Sequence, residues 1–343
     1  MGPGRSESEL AGALAERWRI PLPQALTDVR SIVAQWRRNG LLAGADKMPA
    51  DASAPAPDAN WRDARTLQWA AQWTCSIRGK TIAFATEDDP PGVLRALLRP
   101  LEVPKCKADA RIELRTAPNG ETAILRDGVE RIRTADPGAI AGAVCQMILE
   151  MIHGNCEWLA LIHGAAIARD GAAIALCAPS GSGKSTLAAG LIQAGFDYLT
   201  DDLVAVRARD GMVMPFPLPL SVKPGSESVL ASHGWDFSRA PRYRTKGVEA
   251  RLLLPSGSAW DIRPAPLRSL VFPRFSSSAS PTLRRVSTLD TIERLLADRI
   301  WIGHPIVASR VDAFLKWLDG IAAYSCEYGN LDDGVRLIKE LTH

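Results

Sequence analysis

Ala172-Ala173-Ile174-Ala175-Leu176-Cys177-Ala178 runs directly into Pro179-Ser180-Gly181-Ser182-Gly183-Lys184-Ser185-Thr186. An unbroken apolar run ahead of a glycine-rich turn reads as a buried strand. The small residues after it let successive backbone N–H groups point into one concavity at the start of a helix, where they bind anions. Strand, glycine loop, Lys-Ser and helix, in that order, make a phosphate-binding loop. Ser180, Gly181, Ser182, Gly183 and Thr186 are its candidate phosphate contacts, with Lys184 against the β- and γ-phosphates of ATP and Ser185 offering a hydroxyl to Mg²⁺. Ala178 stands where the pattern usually begins with glycine. A residue that finishes a strand keeps ordinary extended angles, so its methyl is expected to cost little. No NKxD-type guanine-reading motif follows, which disfavours a GTPase.

Downstream of the loop helix, Asp201-Asp202 interrupts an apolar run from Tyr198 to Arg207 that reads as one strand. Adjacent carboxylates there are costly without a cation or a proton to hold. Because side chains alternate along a strand, at most one faces the phosphates squarely. One acid could hold Mg²⁺, Asp202 being the candidate beside Ser185, and the other could accept a hydroxyl proton. The residues alone do not divide the two roles. Upstream, His163-Gly164 lies within Trp158 to Ile167, read as the strand before the loop strand, with the glycine allowing close backbone approach.

Outward from this centre the pattern is that of an α/β protein. Short strand-like runs at Thr74 to Arg78, Thr81 to Ala85, Arg111 to Thr116 and Thr122 to Arg126 predict an antiparallel, hairpin-rich layer, followed by a helix over Ala139 to His153. A helix is expected over Thr186 to Ala194, and a looser, proline-rich stretch over Met214 to Pro266. A strand at Leu267 to Phe275 then has a hairpin partner near Thr282 to Val286, and helices follow near Thr288 to Asp298, Val311 to Gly320 and Asp332 to Leu341. At the other end, Leu10, Leu14, Trp18 and then Leu26, Val29, Val33, Trp36 carry helical spacing on either side of Ile20-Pro21-Leu22-Pro23. The segment 45–60, rich in alanine and proline, reads as a linker between a helical segment 1–44 and a domain 61–343.

His163-Gly164, the loop 178–186, and Gly195-Phe196-Asp197-Tyr198-Leu199-Thr200-Asp201-Asp202 together resemble the C-terminal catalytic domain of HPr kinase/phosphorylase, and more closely the HPr-kinase-related serine kinases associated with PqqD-like peptide chaperones. The motifs span about 45 residues, and a looser similarity through Leu220-Ser221-Val222-Lys223-Pro224-Gly225 and Leu267 to Phe275 extends over roughly 65 to 330. The resemblance implies a P-loop kinase domain with a mixed sheet and flanking helices, using ATP and Mg²⁺ to phosphorylate a serine hydroxyl of a peptide or small protein, such as a ribosomal natural-product precursor. It implies Lys184 on phosphate, Ser185 at Mg²⁺, one of Asp201 and Asp202 as general base and His163 in the active site. Lys223 is either a further phosphate or substrate contact or a solvated loop lysine. Related kinases form homo-oligomers. The phosphorolysis-associated arginine segment of the bifunctional enzyme is not located in this chain. The helices of 1–44 resemble the C-terminal half of a PqqD-like domain, which implies a leader-peptide-binding or PqqD-like partner, although no strand-like run before Glu9 supplies the edge on which such domains seat a peptide. A non-catalytic ATP-binding switch and a small-molecule P-loop kinase use the same loop and stay open as alternatives.

Bulk properties limit the other classes. A formal net charge of +3 is far from the clustered positive excess of a nucleic-acid binder. Six cysteines at 75, 106, 145, 156, 177 and 326 lack zinc spacing and read as reduced thiols. Gln146, Glu150, His153 and Glu157 break the most hydrophobic region below membrane-spanning length, and no signal-peptide core is seen, so a cytoplasmic location is expected.

Overall fold

The computed structural model describes residues 6–18, 21–23, 25–26, 29, 68–88, 92–117, 120–135, 137–154, 156–179, 181–238, 240–245, 248–255, 262–298, 300–302 and 306–342. The chain divides into two compact units, Met1–Asn60 and Trp61–His343. In the first, a helix Glu7–Trp18 opens on a reciprocal cap: the Ser6 hydroxyl accepts from the Glu9 backbone N–H while the Glu9 carboxylate accepts from that of Ser6. Ala11, Ala25 and Val29 are buried together. The expected linker and most of the second helix lie outside the described residues.

The second unit is a mixed α/β structure with sheets flanked by helices. A six-stranded sheet holds Ala71–Ile77, Lys80–Thr86, Glu102–Val103, Ala110–Thr116, Thr122–Arg126 and Val129–Thr134. It is not wholly antiparallel as expected: Lys80–Thr86 and Ala110–Thr116 run parallel, because the chain between them detours through the helix Gly92–Leu98. Helix Pro137–His153 buries Ile140, Val144, Met147 and Ile148, one helical face, in a core that also holds Phe84, Ile112 and Phe216. Each such side chain removed from water contributes about 1.5–3 kcal/mol.

The larger, ten-stranded sheet carries the loop strand Ala172–Leu176 between antiparallel Ala165–Arg169 and parallel Ala265–Phe275, and the last of these is parallel to Ala322–Tyr328. The C-terminal ends of these three parallel strands therefore open on one edge, the usual position of a ligand crevice in α/β sheets. The loop helix Lys184–Gln193 and the helix Leu331–Lys339 pack over one core, and Thr288–Ala297 with Ala308–Asp319 over another. Thr282–Arg285 pairs with Ala322–Tyr328 and not with Ala265–Phe275, a correction imposed by a strand the sequence pattern concealed. The proline-rich stretch holds a small sheet of Leu220–Val222, Val248–Leu253 and Arg242–Thr245, with a helix Pro224–Ser232.

Two apolar runs read as single strands are each broken. Trp158–Ile162 and Ala165–Arg169 are separate strands, as are Asp197–Thr200 and Val204–Arg207. Ala166 pairs with Thr200 on one side of the breaks and Ile162 with Val204 on the other. Both chains thus turn a corner at the same level, changing sheet neighbours through a bend. His163-Gly164 occupies one bend and Asp201-Asp202-Leu203 the other.

None of the six cysteines is paired, and burial pushes the thiols of Cys145 and Cys177 up to about 12. Cys106 is exposed. Among the described residues no helix is long and apolar enough to cross a membrane.

Candidate active site

Gly181 and Gly183 have φ of 94° and 97°, the left-handed backbone that lets the loop turn its N–H groups inward. At Gly183 the requirement is also steric, since a Cβ there would lie 2.7 Å from the Tyr328 hydroxyl. Ala178 is not among the residues with positive φ, in keeping with an ordinary strand end. Ser180 lies outside the described residues. The Lys184 side chain is buried and donates to the carbonyls of Ala178 and Pro179. Burial lowers its ammonium pKa, against the opposing pull of Asp298, Asp201 and Asp202.

The corner brings the acids to this loop by different routes. Asp201 is 2% exposed, and its Oδ2 accepts from the Ser185 hydroxyl at 2.9 Å and from the Ser221 backbone N–H at 3.2 Å. Its Oδ1 is buried with no hydrogen-bond partner among the described residues. Burial first, and the neighbouring Asp202 charge second, raise its pKa to about 7. The acid beside Ser185 is therefore Asp201, whereas the sequence reading put Asp202 there. The physical reason is the bend: Asp202 takes φ 67°, a conformation asparate-type side chains tolerate better than most, and this throws its side chain out of strand alternation into the cleft. There it is 65% exposed, with Oδ1 3.6 Å from His163 Nε2.

His163 is buried, and its Nδ1 lies 2.8 Å from Oδ1 of Asp298, the residue that ends helix Thr288–Ala297. Beside it, Gly164 packs so closely on the loop strand that a Cβ would come within 2.6 Å of the Leu176 carbonyl oxygen. A larger residue would push the histidine's bend away from the phosphate loop. One cavity of about 360 Å³ joins these groups, lined by His163, Lys184, Ser185, Asp202 and Lys223 among others. Lys223 is exposed, and its Nζ lies 3.7 Å from where a Cβ of Gly181 would stand.

Two groups escaped the sequence reading. Asp298 is 135 residues from its histidine and ends an otherwise amphipathic helix, so nothing local marks it. Tyr328 ends the strand that was not foreseen, and its buried hydroxyl, without a hydrogen-bond partner among the described residues, faces the loop.

A buried carboxylate oxygen without a partner among the described residues, on the same carboxyl carbon as the oxygen that accepts from Ser185, is the donor chemistry of a Mg²⁺ site. The glycine loop and two lysines suit the triphosphate that would share it.

No protein-family model and no curated protein sequence matches the chain. Among solved structures it is similar to the Hpr(Ser) kinase/phosphatase from Coxiella burnetii, with 11% identity over 53% of this chain and 95% of that one and a TM-score of 0.26.

Proposed function

We propose that this protein is an ATP- and Mg²⁺-dependent kinase that phosphorylates a serine hydroxyl of a peptide or small protein. The observation that carries it is the double bend, which sets a solvent-facing aspartate and a histidine at 3.6 Å in the cleft that also holds Lys184 and Ser185. A loop that only stores nucleotide has no need of an exposed carboxylate at the transfer end. Bound Mg²⁺ would neutralise charge on the β- and γ-phosphate oxygens, held by the Ser185 hydroxyl and, directly or through water, by Asp201. Lys184 and the loop N–H groups stabilise the negative charge that spreads over the transferring group. Asp202 orients the acceptor hydroxyl and takes its proton as the oxygen bonds to the terminal phosphorus and the bond to the bridging oxygen breaks, leaving ADP. His163, held from behind by Asp298, keeps that carboxylate turned into the cleft. A peptide acceptor accords with the family resemblance of 163–202, and a natural-product precursor with that of 1–44.

The test incubates the full chain with ATP, Mg²⁺ and the peptides encoded beside its gene, and reads their intact masses. Serine-linked phosphate is expected with the parent protein and none with Lys184→Ala. Binding of ATP with no phosphate on any peptide or small molecule supplied would overturn the kinase in favour of a nucleotide-binding switch.

A further inference from the structure

The cleft does not stop at the phosphate loop. Across the loop strand from His163, beyond the strand Ala322–Tyr328 in the sheet order, it continues between the helix Pro224–Ser232 and the start of the helix Leu331–Lys339, two elements that pack on the loop helix. The Thr186 hydroxyl donates to Ser226 at 2.8 Å, which ties the first of these helices to the loop. Further along, His233 Nε2 lies 3.0 Å from Asp332 Oδ1 and joins the two walls. Between them the lining turns apolar, with Val229 and Leu331, and Phe275 projects 51% exposed at the end of its strand. The backbone N–H of that phenylalanine donates to the Ser182 carbonyl at 3.2 Å, which ties the main chain that carries the ring to the loop.

Exposed aromatic and aliphatic surface, rimmed by a carboxylate 85% accessible, is not a surface for more phosphate. It is complementary to a heterocyclic base with a ribose: a flat face for stacking, which contributes about 1–3 kcal/mol per base, and a carboxylate oxygen for the sugar hydroxyls. Direction settles which half of the donor enters. The terminal phosphoryl must point at Asp202, beside His163, so the opposite end of the donor is directed to this arm across the loop strand.

Resting on the phosphotransfer role proposed above, we infer that the arm bounded by Phe275, Val229, Leu331, His233 and Asp332 is the nucleoside subsite, with the base against Phe275 and Val229 and the ribose diol on Asp332. The His233–Asp332 contact ties the two walls of the arm together and leaves Oδ2 of the carboxylate for the ribose.

Calorimetry with the full chain in Mg²⁺ tests this, using ATP and inorganic tripolyphosphate as paired probes. The parent should bind ATP more tightly than tripolyphosphate. Phe275→Ala and Asp332→Asn should each cut ATP affinity about tenfold, while leaving tripolyphosphate affinity within about twofold, and the unchanged second probe certifies that the loop is still folded. Val229→Trp, which fills the arm, should act in the same way. Equal loss of both probes, or no loss of either, in all three variants overturns the subsite. Failure of the phosphate-loop reading looks different: the parent then binds neither probe, and the subsite falls with it.

Discussion

Gly181 and Gly183 line one cleft with Asp202, and Asp201 lies buried behind Ser185, yet the two sides of the site are made of opposite materials. The loop side works through backbone: positive φ, absent side chains and a row of N–H groups, with Lys184 folded back on the carbonyls of Ala178 and Pro179. The corner side works through side chains whose positions follow from where two strands change partners. A backbone device is written locally, in consecutive residues. A corner device is written in two places, and only pairing across the sheet makes it a site.

If the two sides divide binding from transfer, Asp202→Asn is the sharpest cut. Phosphoryl transfer should fall by about 10²–10⁴ with ATP affinity changed less than about twofold in calorimetry. An affinity loss as large as the rate loss would dissolve the division. Lys184→Ala strikes the charge stabilisation itself and should lower turnover by about 10²–10³, measured under saturating ATP.

A subtler pair probes the loop alone. Gly183→Ala combines a left-handed φ, costing about 1–2 kcal/mol for an L side chain, with a methyl 2.7 Å from the Tyr328 hydroxyl. Adding Tyr328→Phe should restore the steric part of the lost stability, read by denaturant unfolding, and leave the backbone part. Full restoration would mean that the glycine is there only to clear the tyrosine.

On the corner side, Asp298→Asn should slow transfer about tenfold through a misdirected His163, and the ring's nitrogen chemical shifts should report a changed tautomer. Unaltered shifts would confine Asp298 to helix termination. The smallest effect is one of pH. Asp201 titrates near 7 in the folded state, against about 4 in an unfolded chain. The native state therefore binds more protons between these values, and metal-free stability should decline as pH rises through them. Asp201→Asn should flatten that slope in urea titrations at pH 5 and 7.5.

The same contrast explains what the sequence disclosed. The loop, its lysine and its serine are contiguous and were legible, as was the order of His163, loop and acid pair. The choice between Asp201 and Asp202 was not, because alternation along a continuous strand is the wrong rule at a bend. The strand Ala322–Tyr328 mixes Ser325 and Glu327 with its apolar residues, and it is recognisable only beside its parallel neighbour. Asp298 acquires meaning only when the fold delivers it to a histidine.

The matched bends also bear on which changes of chain length the protein can absorb. Two ladders clamp each crossover, so one added residue between Thr200 and Val204 would have to slip a whole strand by one position, exchanging its inner and outer faces. The turn Arg169-Asp170-Gly171, whose Asp170 and Gly171 are exposed, could lengthen with little penalty. Deletions and insertions in this protein should accordingly collect in its outer hairpins and spare the few residues where two chains cross.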